Sequence, residues 1–131
     1  MLYLLENSIR SNSFYFTHNK DLTGKVILQV EYLYDVWVNE WSVVCVHSNL
    51  PWLAQFQFQA SHDGKTLVDI GNVMATEKVV IKSMMNVENQ VEWVFPNPEH
   101  VKETKYKYWR AMGTSGKSQS GYISLLFMNI Q

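Results

Sequence analysis

One cysteine, three prolines and six glycines occur among 131 residues, and each scarcity excludes something. A single cysteine, Cys45, excludes an internal disulfide. It sits in the apolar run Val43-Val44-Cys45-Val46, where a small buried hydrophobe is expected. No neighbouring cation or helix N-terminus is visible in the sequence to activate its thiol. Charge is also scarce, at 18% of residues, with 11 basic and 12 acidic groups and a formal net charge of −1. That balance argues against a general electrostatic hold on nucleic acid or acidic membranes. No apolar run is long enough for a membrane-spanning helix. The start, Met1-Leu2-Tyr3-Leu4-Leu5-Glu6, is apolar for five residues and lacks the basic flank of a signal peptide. Folding in a reducing cytoplasm is the expectation.

Aromatic side chains are plentiful, at 14% of the chain. Flat rings pack well on pleated surfaces, so this favours strands. Period-two patterning follows. Between Lys25 and Val38 one parity carries Val26, Leu28, Val30, Tyr32, Tyr34, Val36 and Val38, all apolar or aromatic. Asn39-Glu40 reads as a tight turn into a strand from Trp41 to His47. From Gln55 to Ala60, Phe56, Phe58 and Ala60 share one face and Gln55, Gln57 and Gln59 the other, as in a sheet with one dry and one wet face. Asp63-Gly64 supplies a turn with positive φ, Thr66 to Ile70 returns, and Gly71-Asn72 turns again. Met1–Leu5, Phe14–Phe16, Glu77–Met84, Gln90–Phe95, Thr104–Met112 and Gly121–Ile130 complete nine or ten short strands. Only the stretch from Pro98 to Glu103 suggests a helical turn. The pattern predicts one all-β domain over 1–131, an antiparallel β-sandwich jelly roll with little or no helix.

Signatures of chemistry are missing. Gly113-Thr114-Ser115-Gly116-Lys117-Ser118 fails as a phosphate loop. The required first glycine is Ala111, and a strand rather than a helix follows. A hairpin loop is expected there instead. His18, His47, His62 and His100 show no metal-ligand spacing. Glu99 and Glu103 read as a solvated face, and Asp63 and Asp69 as turn residues. No serine sits in a nucleophile elbow. Lys105-Tyr106-Lys107-Tyr108-Trp109-Arg110 interleaves rings and cations, but alternation puts them on opposite faces of a strand. A single-strand nucleic-acid surface wants both on one exposed face. No enzyme activity, cofactor, metal, nucleic-acid partner or membrane insertion is expected.

Two features point to binding. Trp52 follows Pro51 in a polar turn, either folded back as a lid or exposed as an anchor for a sugar ring or protein partner. The last strand is apolar on both faces, with Ile123, Leu125 and Phe127 on one and Tyr122, Leu126 and Met128 on the other. Such a strand is either central in its sheet or covered by another chain. Tyr122, Leu126 and Met128 are therefore assembly-interface candidates.

The turn Ser61-His62-Asp63-Gly64-Lys65-Thr66, the strand Tyr106-Lys107-Tyr108-Trp109-Arg110 and the closing Gly121-Tyr122-Ile123-Ser124-Leu125-Leu126 resemble motifs of discoidin-like (coagulation factor 5/8 C-type), galactose-binding-like domains. The likeness spans Trp52 to Ile130. Leu67 stands where that family often has Trp, and the disulfide that closes many extracellular members is impossible here. The resemblance implies a β-sandwich binding sugars, lipids or proteins through loops at one end. Small modules of this kind resemble accessory proteins of bacteriophage tails, baseplates and capsids. The expectation is a non-enzymatic virion structural or adhesion component, made in the host cytoplasm. Its partners would be other virion proteins, copies of itself or a cell-surface glycan. The alternative is a free carbohydrate-binding module.

Overall fold

A computed structural model describes residues 2–4, 13–16, 20–46, 52–76, 80–83, 90–97 and 104–126, with side chains for 20–45, 52–76, 91–97, 104–121, 123 and 125. The described residues form ten strands and no helix: β1 (Leu2–Leu4), β2 (Ser13–Phe16), β3 (Val26–Val36), β4 (Glu40–Val46), β5 (Ala54–Ser61), β6 (Val68–Ala75), β7 (Val80–Ser83), β8 (Gln90–Pro96), β9 (Tyr106–Gly116) and β10 (Gly121–Leu126). They build two five-stranded sheets, ordered β1-β3-β9-β5-β6 and β2-β10-β4-β8-β7. All pairings are antiparallel except β1 with β3. The all-β sandwich expected from period-two patterning is what forms.

The core lies where the inner faces meet. Trp41 of β4 stacks on Phe95 of β8 at 4.2 Å and on Phe58 of β5, in the other sheet, at 5.5 Å. Phe56 meets Trp41 edge-on at 5.4 Å. Such offset and T-shaped pairs add to the area that the rings bury. Val30, Tyr32, Trp109, Ala111, Ile123 and Leu125 complete the layer. Inward Phe56, Phe58 and Ala60 agree with the sequence pattern.

Several local expectations are corrected. Asn39-Glu40 is not a tight turn: β3 ends at Val36, β4 begins at Glu40, and the two strands lie in different sheets. The chain crosses the core there, and Val38 is fully buried on the way. Gly71-Asn72 does not end its strand; β6 runs through to Ala75. Gly113 to Gly116 belongs to β9, not to a hairpin loop. These glycines are needed because main chain approaches closely: a Cβ on Gly113 would lie 2.3 Å from the Leu22 carbonyl oxygen. Gln57 and Gln59 are buried, and only Gln55 of the three is exposed. Their strand is central, and their amides pair with neighbouring strands rather than with water. The expected helical turn at Pro98–Glu103 lies outside the described residues.

Candidate functional site

The inward parity of β3 breaks at two places, Val26 and Tyr34, both exposed. The second break is the larger. Glu31 pairs with Tyr108 and Val36 with Tyr106, so Lys107 alone on β9 faces Tyr32, Leu33, Tyr34 and Asp35 on β3. The surplus residues must leave the ladder, as in any bulge. Tyr32 turns into the core with no exposure, while Leu33 and Tyr34 stand 44% and 61% exposed. Asp35 is exposed beside them.

Trp109 closes this bulge. Its indole N–H is shared between the carbonyl oxygens of Val36, at 3.1 Å, and Tyr106, at 3.0 Å. Its ring also meets Tyr106 edge-on at 5.8 Å. The end of the projecting segment where Val36 pairs with Tyr106 is thus anchored by one buried side chain.

The β5–β6 connection brings His62 to the same place. Ser61 Oγ accepts from the main-chain N–H of Asp63 at 3.2 Å and of Gly64 at 2.9 Å. Asp63 Oδ1 accepts from the N–H groups of Lys65 and Thr66, at 2.7 and 2.8 Å, and from the Ser61 hydroxyl at 2.9 Å. The Thr66 and Lys65 N–H groups hold the Asp63 carboxyl down at about 2. Gly64 has φ +79° and lies so near the Tyr108 ring that a Cβ would sit 3.1 Å from it. On this tied turn, the His62 ring lies over Tyr106 at 4.5 Å, tilted by 34°. Its Nδ1 is 3.9 Å from Asp35 Oδ2. That spacing exceeds a hydrogen bond, and the two side chains are 65% and 55% exposed. The result is a small outward surface of rings with one carboxylate and one imidazole.

The residues singled out in the sequence fare differently. Trp52 is folded inward, 5% exposed, edge-on to Trp93 at 4.9 Å, with Nε1 donating to the Lys117 carbonyl oxygen at 2.7 Å. It is a lid on the core and presents no free ring face. β10 lies between β2 and β4, with Ile123 and Leu125 fully buried. The side chains of Tyr122 and Leu126, and all of Met128, lie outside the described residues. So do His18, His47 and His100. Within 105–110, Trp109 is core and Arg110 donates to Gln59 Oε1 at 2.7 Å. Burial pushes the Cys45 thiol up to about 12, the opposite of activation. Among the described residues no three His, Cys, Asp or Glu side chains come together as a metal site would need.

Sequence reasoning missed Tyr34 and Asp35, because period two placed Tyr34 in the core. A faint signal was there in Leu33-Tyr34-Asp35-Val36, where both parities carry apolar residues and neither wins cleanly. Two of the motifs behind the discoidin-like resemblance are spatial neighbours, since Ser61 pairs with Tyr108. Comparison with protein-family models, curated proteins and solved structures found no match. The resemblance therefore rests on its motifs alone.

Proposed function

We propose that this chain is a non-enzymatic structural or adhesion subunit of a virion, of the bacteriophage tail, baseplate or capsid accessory kind, working through contacts made by one sheet. The carrying observation is where apolar surface is left open. Among the described residues, the exposed large hydrophobics are Val26, Leu33, Tyr34, Leu53, Val68 and Val73. All belong to the β1-β3-β9-β5-β6 sheet or to the segment entering it. In the other sheet, β4 and β8 are buried on both faces, Ser42, Val44, Glu92 and Val94 on one and Trp41 and Trp93 on the other. Exposed apolar groups that, among the described residues, all fall on one sheet fit a subunit that expects a neighbour. Strand order supports a jelly-roll reading. β2, β10, β4 and β8 are neighbours in one sheet and β3, β9, β5 and β6 in the other, so the chain passes back and forth between sheets as two nested Greek keys require.

Sedimentation velocity of the purified chain tests the assembly reading. The wild type is expected to self-associate or to join the particle. A Val68→Glu, Val73→Glu double variant on the edge strand β6 should stay monomeric with an unchanged unfolding midpoint. Wild-type chain that stays monomeric at about millimolar concentration, the weak end of protein affinities, and is absent from particles would sink it.

A further inference from the structure

We infer that the outer face of the β1-β3-β9-β5-β6 sheet is a contact between two copies of this chain, related by a two-fold axis along β5 that sets Arg110 of each copy against Asp69 of the other. This rests on the assembly reading above and names the neighbour for it.

One row of side chains carries the inference. Gln29 on β3 pairs with Arg110 on β9, Arg110 with Gln59 on β5, and Gln59 with Asp69 on β6. Paired residues share a face of the sheet. Trp109 and Ala111, on either side of Arg110, belong to the core, so the row faces outward. Two hydrogen bonds fix it. Arg110 Nε donates to Gln59 Oε1 at 2.7 Å, and Gln59 Nε2 donates to Asp69 Oδ1 at 2.8 Å. Gln59, held between the two, is buried, whereas Asp69 is exposed and Arg110 half-buried.

Each charge in this row lacks an opposite. Among the described residues no carboxylate forms an ion pair with Arg110 and no cation forms one with Asp69. With Nε engaged, the two terminal nitrogens of Arg110 make no hydrogen bond among the described residues. They form the fork that receives a carboxylate end-on. Burial lowers the Arg110 pKa, as for a cation partly stripped of water. Within one chain the two charges are held apart, because β5 separates their strands by roughly 10 Å, two strand spacings.

A second copy removes that separation. β9 and β6 flank β5 at equal spacing, with Gln59 midway between Arg110 and Asp69. A half-turn about an axis parallel to β5 and above Gln59 keeps the row at its own height and exchanges its two sides. Arg110 of one copy then lies over Asp69 of the other, and the same operation repeats the contact, as an isologous interface requires. Sheets stacked face to face stand roughly 10 Å apart, a gap that an arginine and an aspartate reaching from opposite sides span. The next row adds apolar surface. Met112, half-buried on β9, pairs with Gln57, and Val73, 44% exposed, lies in the β6 segment opposite Gln57. The half-turn carries Met112 of one copy to that segment of the other. A net charge of −1 leaves little repulsion between copies.

Sedimentation velocity of the full chain over a concentration series tests this. Wild type is expected to form dimers that weaken with added salt. Arg110→Glu and Asp69→Arg should each weaken self-association about tenfold or more, since each sets like charges face to face. Their equimolar mixture should recover wild-type association, because the exchanged charges then meet opposites at both contacts. Lys117→Glu, the same charge change at an exposed residue just past β9, should have no effect. Circular dichroism must show the variants folded. Where one is not, concentration-dependent amide shifts of wild type decide: shifts centred on residues 57–59, 69–73 and 108–112 support the contact, and shifts centred elsewhere overturn it. A mixture that associates no better than its components, or single variants that associate like wild type, overturns the pairing while self-association keeps the assembly reading. Wild type that stays monomeric alone yet enters particles also overturns it, the neighbour then being a different chain. Wild type that does neither sinks both readings.

Discussion

Trp109 on β9 holds Val36 on β3 across 73 residues of chain, its indole N–H donating to the Val36 carbonyl oxygen at 3.1 Å. This bond lies where β3 returns to the ladder after its bulge. A core side chain thereby sets the position of an exposed segment.

Trp109→Phe keeps most of the ring and deletes the donor. Two carbonyl oxygens, of Val36 and Tyr106, then lose this donor. Urea unfolding should show a loss of about 2 kcal/mol, from the lost indole bonds and the small cavity together. Amide exchange should quicken at Leu33 to Val36 before it does elsewhere in β3. Uniform exchange along the strand would contradict the closing role of the indole.

Gln57 and Gln55 separate on stability. Gln57 alone on β5 faces Gly71, Asn72 and Val73 of β6. Its amide Nε2 lies within reach of the carbonyl oxygens of Phe58, Ile70 and Gly71, at 3.0, 3.4 and 3.3 Å. Gln57→Ala should therefore cost about 1–3 kcal/mol, since a buried amide's hydrogen bonds to main-chain carbonyls are lost. Gln55→Ala, at an exposed position, should cost under about 0.5 kcal/mol. Equal losses in chemical denaturation would remove the pairing role given to the Gln57 amide.

Phe58 carries the contact between sheets, stacked on Trp41 at 5.5 Å and tilted against Trp109 at 5.3 Å. Phe58→Ala should cost about 3–5 kcal/mol. A midpoint shift well below that, with near-ultraviolet dichroism of the tryptophans unchanged, would mean the core closes over the gap.

Acid should loosen the β5–β6 turn. The Asp63 carboxyl titrates at about 2 in the folded chain because the Thr66 and Lys65 N–H groups and the Ser61 hydroxyl favour its charged form. An unfolded aspartate titrates near about 3.9. A depressed folded value means the stabilisation is complete above the unfolded pKa and is lost as pH falls from there towards 2. The Tm of wild type should fall across that window, and that of Asp63→Asn should fall less steeply. Some slope should survive in the variant, because the main-chain N–H of Thr23 lowers Asp21 in the same direction. Parallel profiles for the two proteins would rule out the turn as the source.

What the sequence determined alone was the class of fold and much of the core. Alternation at Phe56, Phe58 and Ala60 and at Leu28, Val30 and Tyr32 is local information, because side chains on a strand change face at every residue whatever lies beyond. Positive φ at Gly64 was legible for a similar reason: Asp-Gly is a local turn signal, and the structure has φ 79° there. Burial of Gln57 and Gln59 was not legible, since polar residues on one parity read as wet until it is known that β9 and β6 flank their strand. The crossing between β3 and β4 was hidden too. Asn39-Glu40 looks the same whether the next strand pairs back or joins the opposite sheet. Only the tertiary structure decided where the bulge of β3 would fall, because that depends on how many residues β9 sets against it. That count brought Asp35 to His62 across 27 positions of sequence, a distance no local pattern spans.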